Sequence, residues 1–248
     1  MADRLRLNKI LELAEKELGK LWQSKPFLVI GQKDDGRLLY HDLEKLPIIL
    51  MAGTSGSGKT NLANCFIVSL LKRFQPKELN LFLVDCKVEF IFYKKLPNLF
   101  YPVSSSGAEG IRSFKNIEQE IDKRKQANIK TPFILVAIDE FSDLACQYPA
   151  QLENLVSKIA KDGAKIGIGL VLYTSIPSRD VITEKIDKVV ETRIGFETAS
   201  DNDSKRIIHQ AGCTDLLGNG DGLYLRYIDS KPIRFQAPLI TEEELEEL

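Results

Sequence analysis

A glycine-rich segment in the first quarter of the chain has the residue types of a phosphate-binding loop. An apolar run at residues 48–52 leads into Gly-Thr-Ser-Gly-Ser-Gly-Lys-Thr at 53–60, and a helical pattern follows. The glycines permit a tight loop whose backbone N–H groups and following helix N-terminus face phosphate oxygens. We predict nucleotide contacts for Gly53, Thr54, Ser55, Gly56, Ser57, Gly58, Lys59, Thr60 and Asn61. Lys59 is expected to reach the β- and γ-phosphates, which makes it also a catalytic residue, and Thr60 to bind Mg²⁺.

Two acidic residues follow a second apolar run, at residues 133–138. At the carboxyl end of a strand they would face the ligand crevice of an α/β sheet. We expect Asp139 to hold Mg²⁺ and Glu140 to polarise the attacking water; the alternative is an acid that caps the next helix. Phosphate and metal sites alone also suit a kinase, but the adjacent glutamate favours hydrolysis. The chain has no Asn-Lys-x-Asp tetrapeptide that would read guanine, so ATP is favoured over GTP.

The elements that must position these residues are indicated by short apolar runs that alternate with amphipathic stretches. The runs lack polar alternation, as strands buried on both faces do, and the stretches between them are long enough for crossover helices. This predicts an α/β fold with a mostly parallel central sheet flanked by helices. Helical spacing predicts an N-terminal amphipathic helix over 5–22, and turn residues predict hairpins at 27–40 and 222–236.

Charge and cysteine content limit the partners and the compartment. The formal net charge is −1, so no global basic field draws the chain to nucleic acid. Five glutamates lie in residues 241–248, and the rest of the chain carries about +4. The four cysteines form no metal-binding pattern, and no run of residues is apolar enough to span a bilayer. We therefore expect a cytoplasmic protein with reduced thiols.

Several blocks of sequence together resemble the motor domain of the FtsK/SpoIIIE family of DNA translocases, part of the FtsK–HerA group of RecA-like P-loop ATPases. The resemblance covers roughly residues 25–240, and its blocks keep the family's order. They include Lys-Pro-Phe-Leu-Val-Ile-Gly at 25–31, Leu-Val-Asp-Cys-Lys-Val-Glu-Phe at 83–90, Ile-Pro-Ser-Arg-Asp-Val-Ile-Thr at 176–183 and Thr-Arg-Ile-Gly-Phe at 192–196. The implied organisation is an N-terminal helix at 1–24, an ATPase motor domain at 25–240 and an acidic tail at 241–248.

The resemblance implies an ATP-dependent translocase of double-stranded DNA that works as a homo-oligomeric, hexameric ring. In such rings an arginine of one subunit completes its neighbour's ATP site. Arg193 is the first candidate for that role and Arg206 the second; the alternatives are a structural ion pair and a solvated helix residue. DNA contacts on pore-facing loops are expected from Lys94, Lys95, Arg179, Lys185 or residues 123–125, although such basic pairs also occur on solvated faces.

The chain also departs from the family's pattern. Ser175 stands where the family usually has a glutamine at the end of a strand, so the adjacent Thr174 is a candidate γ-phosphate sensor; ordinary turn chemistry is the alternative for both. The membrane region and winged-helix domain of the chromosome-segregating members have no counterpart here. That suggests a plasmid, mobile-element or phage motor, with a separate recruiting protein. The alternative functions are a conjugative coupling ATPase, a type VII secretion-like ATPase and a nucleotide-binding regulatory module.

Overall fold

In a computed structural model, which describes residues 5–248, the apolar runs form a single sheet. Residues 1–4 of the predicted N-terminal segment 1–24 lie outside this range. Within the described residues the strands are Phe27–Gln32 (β1), Leu38–Asp42 (β2), Ile48–Ala52 (β3), Leu79–Asp85 (β4), Phe133–Asp139 (β5), Ile168–Thr174 (β6), Thr192–Phe196 (β7), Asp221–Arg226 (β8) and Ile233–Gln236 (β9). Their order across the sheet is β2-β1-β9-β8-β7-β3-β6-β5-β4.

One half of this sheet is parallel and carries the predicted motifs. Strands β7, β3, β6, β5 and β4 all run in the same direction, with Ala52 opposite Thr174 and Asp85 opposite Asp139. The carboxyl ends of β3, β4, β5 and β6 therefore meet at one edge. The other half is antiparallel, because the two predicted hairpins add β8, β9, β1 and β2 to the sheet beyond β7 and form one of its sides.

Helices cover both faces of the sheet. Their bounds are Leu7–Leu18 (α1), Lys20–Ser24 (α2), Lys59–Leu71 (α3), Gly107–Ala127 (α4), Ser142–Gln147 (α5), Pro149–Ile166 (α6), Glu184–Val189 (α7), Asp201–Ile208 (α8) and Glu242–Glu246 (α9). Alternate residues of β3 enter different hydrophobic clusters: Ile49 packs with Phe66 of α3, and Leu50 packs with Ile117 of α4 and Leu155 of α6. Burial of the parallel strands on both faces explains their uninterrupted apolar sequence.

The N-terminal segment contains two helices where the helical spacing predicts one. Gly19 ends α1 in the left-handed region, with φ of 53°, and its N–H donates to Glu15 O. Glycine adopts this conformation without a Cβ penalty, so it commonly ends a helix. The following α2 then turns Trp22 into the core, where its ring lies 3.6 Å from the Arg73 guanidinium carbon.

The C-terminal residues predicted as an acidic tail form the short helix α9. Thr241 accepts a hydrogen bond from Glu244 N, while the Glu244 carboxylate accepts one from Thr241 N, which is a capping box. Leu245 of this helix is buried in the same cluster as Leu7 of α1. The last eight residues are therefore docked on the body and are not a free tail. Over residues 5–248, no helix has both the length and the hydropathy that crossing a membrane requires.

Candidate active site

The glycine-rich loop connects β3 to α3, as the sequence predicts. It forms hydrogen bonds with the segment that follows β7 and with the segment that precedes β8. Thr54 N donates to Glu197 O at 2.7 Å, and Gly220 N donates to Ser57 O at 2.8 Å. Gly58 has φ of 120°, and a Cβ there would lie 2.7 Å from the backbone of Gly220. Only glycine fits this close approach of two backbones. The phosphate-binding loop is therefore held in shape by the antiparallel half of the sheet.

Lys59, the first residue of α3, folds back over this loop. Its Nζ donates to the carbonyl oxygens of Gly53 and Thr54, both at 2.9 Å. Burial lowers the pKa of Lys59, although Glu140 and Asp139 act in the opposite direction. The side chain is thus aimed across the loop that would hold a β- or γ-phosphate, where a phosphate could replace the two carbonyl groups as acceptor.

Asp139 ends β5 beside the loop and has an unsatisfied oxygen. The side chain is 3% exposed, and its Oδ2 has no hydrogen-bond partner within residues 5–248. Burial, followed by the negative charges of Glu89 and Asp85, raises its pKa to about 7. An orphaned carboxylate oxygen that faces a pocket is the donor that Mg²⁺ prefers, and Thr60 lines the same pocket. These residues fit a Mg²⁺ ion that is otherwise bound by water and phosphate oxygens. Within the described residues, no cluster of three His, Cys, Asp or Glu side chains forms a metal cage.

Glu140 follows Asp139 and has the opposite environment. Its φ of 42° lies in the left-handed region, which non-glycine residues seldom occupy and which is strained unless the surrounding contacts enforce it. The carboxylate accepts hydrogen bonds from Lys87 Nζ, Ser142 Oγ, Thr174 Oγ1 and both the N–H and the Oγ of Ser175. Burial alone would raise the pKa of Glu140, but the hydrogen bonds, led by that of Lys87, lower it to about 2.

These residues surround a cavity of about 240 Å³ at the carboxyl edge of the parallel strands. It is lined by Ser55, Gly56, Gly58, Lys59, Thr60, Asn61, Lys87, Glu89, Asp139, Glu140, Tyr173 and Ser175. Most of the predicted phosphate-binding residues therefore meet both predicted acids here. Asn61 also lines the cavity, but its amide is engaged by Pro238 O and Ile240 N. The hydroxyl groups of Thr54 and Ser57 bond to backbone carbonyl oxygens and so support the loop.

The structure gives Thr174 a different position from the one expected of a γ-phosphate sensor. Thr174 is fully buried, and its hydroxyl donates to Glu140 and accepts from Ile176 N. Ser175 also contacts Glu140, at 2.6 Å through its Oγ. Both hydroxyl groups therefore orient Glu140, so neither the sensor role nor ordinary turn chemistry describes them fully.

Arg193 lies on β7 and is engaged within its own chain. It is 4% exposed, and its guanidinium donates to Ile207 O, to Asp187 O and to the Asp187 carboxylate at 3.1 Å. These intrachain contacts favour the alternative of a structural ion pair, and a role of Arg193 at a neighbouring subunit stays a prediction. Arg206, on α8, is partly buried; it donates to Ile182 O, and its Nε has no partner among the described residues.

Lys87, Glu89 and Tyr173 belong to this cavity, yet the sequence alone did not identify them as site residues. Lys87 and Glu89 lie just after β4, whose last residue pairs with Asp139. Both stand in the Leu-Val-Asp-Cys-Lys-Val-Glu-Phe block that carries part of the family resemblance. Their place in that block, directly after an apolar run, is the sequence feature that could have identified Lys87 and Glu89 as site residues.

The basic residues considered for DNA contact differ in their exposure and in whether they form ion pairs. Arg124 is 1% exposed, with Nε donating to Glu120 at 2.8 Å, and Lys125 pairs with Asp162 and Lys185 with Glu153. By contrast, three of the candidates are exposed and form no ion pair within the described part of the chain: Lys94, Lys95 and Arg179. Within residues 123–125, Arg124 is therefore structural, whereas Lys123 and Lys125 are exposed and each pairs with an acid.

Comparison of the sequence with known proteins finds the same family twice, in a family profile and in a curated relative. The sequence profile of the FtsK/SpoIIIE family matches residues 11–131. A DNA translocase FtsK of Streptomyces coelicolor is 32% identical over 275 aligned positions, which cover 98% of this chain and 30% of that protein. The chain thus spans less than a third of that relative's length.

Solved structures show the same fold. The cytoplasmic domain of the type VII secretion ATPase EccC of Thermomonospora curvata superposes with a TM-score of 0.79 at 22% identity, over 90% of this chain and 30% of that one. The pCW3 conjugation coupling protein TcpA, solved with ATPγS, gives a TM-score of 0.77 at 24% identity, over 89% of this chain and 68% of that one. The fold is that of a P-loop ATPase.

Proposed function

The chain belongs to the FtsK/SpoIIIE family, and on this premise we propose that it is an ATPase that couples hydrolysis to movement along double-stranded DNA. One observation carries the proposal. A phosphate-binding loop, a buried carboxylate with an unsatisfied oxygen and an ionised glutamate line one cavity. These are the parts needed for nucleotide hydrolysis, and their coincidence in one pocket supports an active enzyme.

The hydrolytic step follows from the roles that these residues can take. Backbone N–H groups of 55–60 hold the phosphates, and Lys59 Nζ offsets charge on the γ-phosphate. Glu140 accepts a proton from water as the water oxygen bonds to the γ-phosphorus and the bond to the bridging oxygen breaks, leaving ADP and phosphate. Bound Mg²⁺, held through Asp139 and Thr60, would supply further charge neutralisation. The low pKa of Glu140 keeps it ionised at neutral pH.

The substrate polymer and the assembly are proposed from the relatives. FtsK of Streptomyces coelicolor is named a DNA translocase, and we propose the same substrate, double-stranded DNA, for this chain. The exposed lysines at 94 and 95 and Arg179 are the candidates for phosphate contact, because no ion pair within residues 5–248 occupies them. A homo-oligomeric, hexameric ring would concentrate these charges around a channel, which a net charge of −1 does not prevent. With Arg193 engaged in its own chain, Arg206 becomes the leading candidate for an arginine that acts in trans.

Two further functions share the fold. EccC and TcpA are a secretion ATPase and a conjugation coupling protein, and their likeness to this chain extends to the fold alone. A regulatory module that binds nucleotide without turnover is a third alternative. The fully oriented Glu140 favours an enzyme over such a module, because a binding site needs no oriented base. Service to a plasmid, mobile element or phage, with a separate recruiting protein, remains our prediction from the sequence.

The test is the rate of ATP hydrolysis with and without long duplex DNA. We expect wild-type turnover to rise at least tenfold with duplex DNA, and Glu140→Gln to bind ATP without hydrolysing it. Replacing Lys94 and Lys95 together by Ala should raise the DNA concentration needed for half-maximal stimulation, and Lys185→Ala is the matched control, because Lys185 is already paired with Glu153. Turnover that duplex DNA leaves unchanged would contradict the DNA-motor proposal, whereas absence of any turnover would contradict the ATPase itself.

A further inference from the structure

The carboxylate of Glu140 has no free acceptor position for water. Its Oε1 accepts from Ser142 Oγ at 2.8 Å, from Ser175 N at 2.9 Å and from Thr174 Oγ1. Its Oε2 accepts from Lys87 Nζ at 2.8 Å and from Ser175 Oγ at 2.6 Å. Two carboxylate oxygens offer about four acceptor sites, so these donors occupy all of them. Glu140 cannot take a proton from water until one donor leaves.

Lys87 is the donor that can leave most easily. Its side chain is 49% exposed, whereas Thr174 is fully buried and Ser142 is 3% exposed. It extends from the connection after β4 on a flexible stem, while the other donors are short side chains or backbone groups next to strand ends. If Lys87 withdraws, Oε2 keeps its bond to Ser175 Oγ and a longer one of 3.2 Å from Ser175 N, which Oε1 shares, so the carboxylate stays oriented and the position that Lys87 occupied on Oε2 becomes open.

A nucleotide bound in the cavity would offer Lys87 a second acceptor, its γ-phosphate. Lys87 and Lys59 line the same 240 Å³ space, and they are close enough for the charge of Lys87 to lower the pKa of Lys59. A γ-phosphate held by Lys59 would bring a concentrated negative charge within reach of both ammonium groups. Ammonium groups on rotatable stems move readily between such acceptors, because they lack the fixed geometry of a guanidinium.

Backbone strain on both sides of the contact fits a switching element. Val88, next to Lys87, has φ of 65°, and Glu140 has φ of 42°. A β-branched residue in the left-handed region is a marked outlier that persists only when surrounding contacts enforce it. The Lys87–Glu140 ion pair therefore links one strained residue, Glu140, to the immediate neighbour of the other, Val88.

We propose that Lys87 moves between two acceptors: it blocks Glu140 when the site lacks a γ-phosphate, and it transfers to the γ-phosphate when ATP binds, which opens Oε2 to the attacking water. This rests on the proposed ATPase function and adds a residue that positions the base and recognises the triphosphate. Lys87 would therefore distinguish ATP from ADP, and the base would be available only when there is a γ-phosphate to attack.

The test compares binding of ADP and of ATPγS, each with Mg²⁺, by titration calorimetry. In Lys87→Met we expect the ATPγS dissociation constant to rise about tenfold while that for ADP stays within twofold of wild type. Lys87→Arg, which keeps the charge, should preserve most of the preference for ATPγS. Lys185→Met is the matched control, because Lys185 is also an exposed lysine paired with a glutamate, at 2.9 Å, and lies outside the cavity.

Turnover gives a second, independent readout. Loss of a contact to the γ-phosphate predicts that Lys87→Met lowers kcat at least tenfold and raises KM for ATP. If Lys87→Met lost affinity for ADP and ATPγS equally, Lys87 would have a merely structural role. If the variant kept the preference for ATPγS over ADP and its kcat rose, Lys87 would block Glu140 without ever contacting the phosphate. Either result overturns the proposal. If wild type fails to hydrolyse ATP, the proposed function fails, while the nucleotide preference of the Lys87 variants still tests the transfer of Lys87.

Discussion

Asp139 and Glu140 are neighbours in sequence, but their surroundings give them different chemistry. Asp139 is buried beside other acids and has an oxygen without a partner, and its pKa rises to about 7. Glu140 is surrounded by donors, and its pKa falls to about 2. Environments that give two neighbouring carboxyl groups very different pKa values commonly mark separate catalytic roles. Here the contrast suits a carboxylate that awaits a cation and a base that remains ionised.

Asp139 should make the nucleotide-free protein less stable as pH rises. The folded state holds this proton with a pKa of about 7, against a reference value of 3.8. The stability contributed by the protonated form is therefore complete below the unfolded pKa and is lost as pH rises through 7. We expect the free energy of unfolding of Asp139→Asn, relative to wild type, to increase by about 2–3 kcal/mol between pH 5 and pH 8. Denaturant unfolding without nucleotide at the two pH values measures this.

The control for this prediction is Asp143→Asn. Asp143 is close in sequence to Asp139 but exposed, so its replacement matches the loss of a carboxylate without the loss of a buried one. The interpretation would be contradicted if the difference between Asp139→Asn and wild type were the same at both pH values. Asp139→Asn should also lose the thermal shift that Mg²⁺ adds to nucleotide binding.

Arg193 provides a residue-scale test of whether it is structural or acts on a neighbour. Its buried guanidinium joins β7 to Asp187 and to the carbonyl oxygen of Ile207. Arg193→Met leaves these partners unsatisfied and should lower the free energy of unfolding by about 3 kcal/mol. Chemical denaturation at low protein concentration, where subunits are apart, measures it. A variant as stable as wild type that binds ATP without turnover would restore Arg193 as the arginine acting in trans.

At the scale of elements, a buried arginine ties α4 to the end of α6. Arg124 is 1% exposed and pairs with Glu120 at 2.8 Å, while its Nη1 donates to Ile166 O at 3.0 Å. Its neighbour Lys123 contacts the same glutamate at 3.4 Å from an exposed position. Two adjacent residues of a basic run that resembles a nucleic-acid contact therefore differ in role: Arg124 is buried and connects two helices, whereas Lys123 is exposed to solvent.

This arrangement predicts very different effects for adjacent substitutions. Arg124→Met removes a buried pair and the partner of a helix-terminal carbonyl, and should cost about 3 kcal/mol of unfolding free energy. Lys123→Met removes an exposed pair with the same Glu120 and should cost under about 1 kcal/mol. Urea titrations of both variants make the comparison. Equal losses would show that burial does not separate the two residues.

At the scale of the whole molecule, the first and last helices of residues 5–248 pack into the body. Leu7 of α1 and Leu245 of α9 share a hydrophobic cluster with the central strands, and Asn8 donates to the carboxylate of Glu244. The predicted division into segments 1–24, 25–240 and 241–248 thus follows the sequence blocks, while one core joins the described parts of all three. A joint core predicts joint unfolding.

The single tryptophan makes this cooperativity measurable. Trp22 is 2% exposed on α2 and lies under Arg73, so its fluorescence reports whether the N-terminal segment is docked. We expect the fluorescence and far-ultraviolet circular dichroism transitions in urea to coincide within error, because α1 contributes Leu7 to the hydrophobic cluster of the central strands. Two separated midpoints would instead identify the N-terminal segment as an independent unit.

The amino-acid sequence was sufficient to predict the parallel half of the fold and the residues of a candidate nucleotide site. The apolar run at 48–52 and the one at 133–138 became β3 and β5, because strands buried on both faces need uninterrupted apolar residues. The glycine loop and the acid pair followed from local rules on which backbone and charge types can hold phosphate and metal. The sequence did not reveal the break at Gly19 or the docked α9, because a glycine in a helical pattern and an acidic end are each compatible with several structures.

Which residues meet depends on how the strands pair across the sheet. Asp85 pairs with Asp139 in register, and this brings Lys87, more than fifty positions away in sequence, against Glu140. The fold likewise buried Arg193 and Arg124, whose basic side chains read from sequence as contacts for partners. Charge and residue type are local properties of a chain, whereas burial, pKa and free acceptor positions depend on neighbours supplied by other strands. The candidate residues of this site could therefore be named from the sequence, whereas the contacts that surround Glu140 depend on the fold.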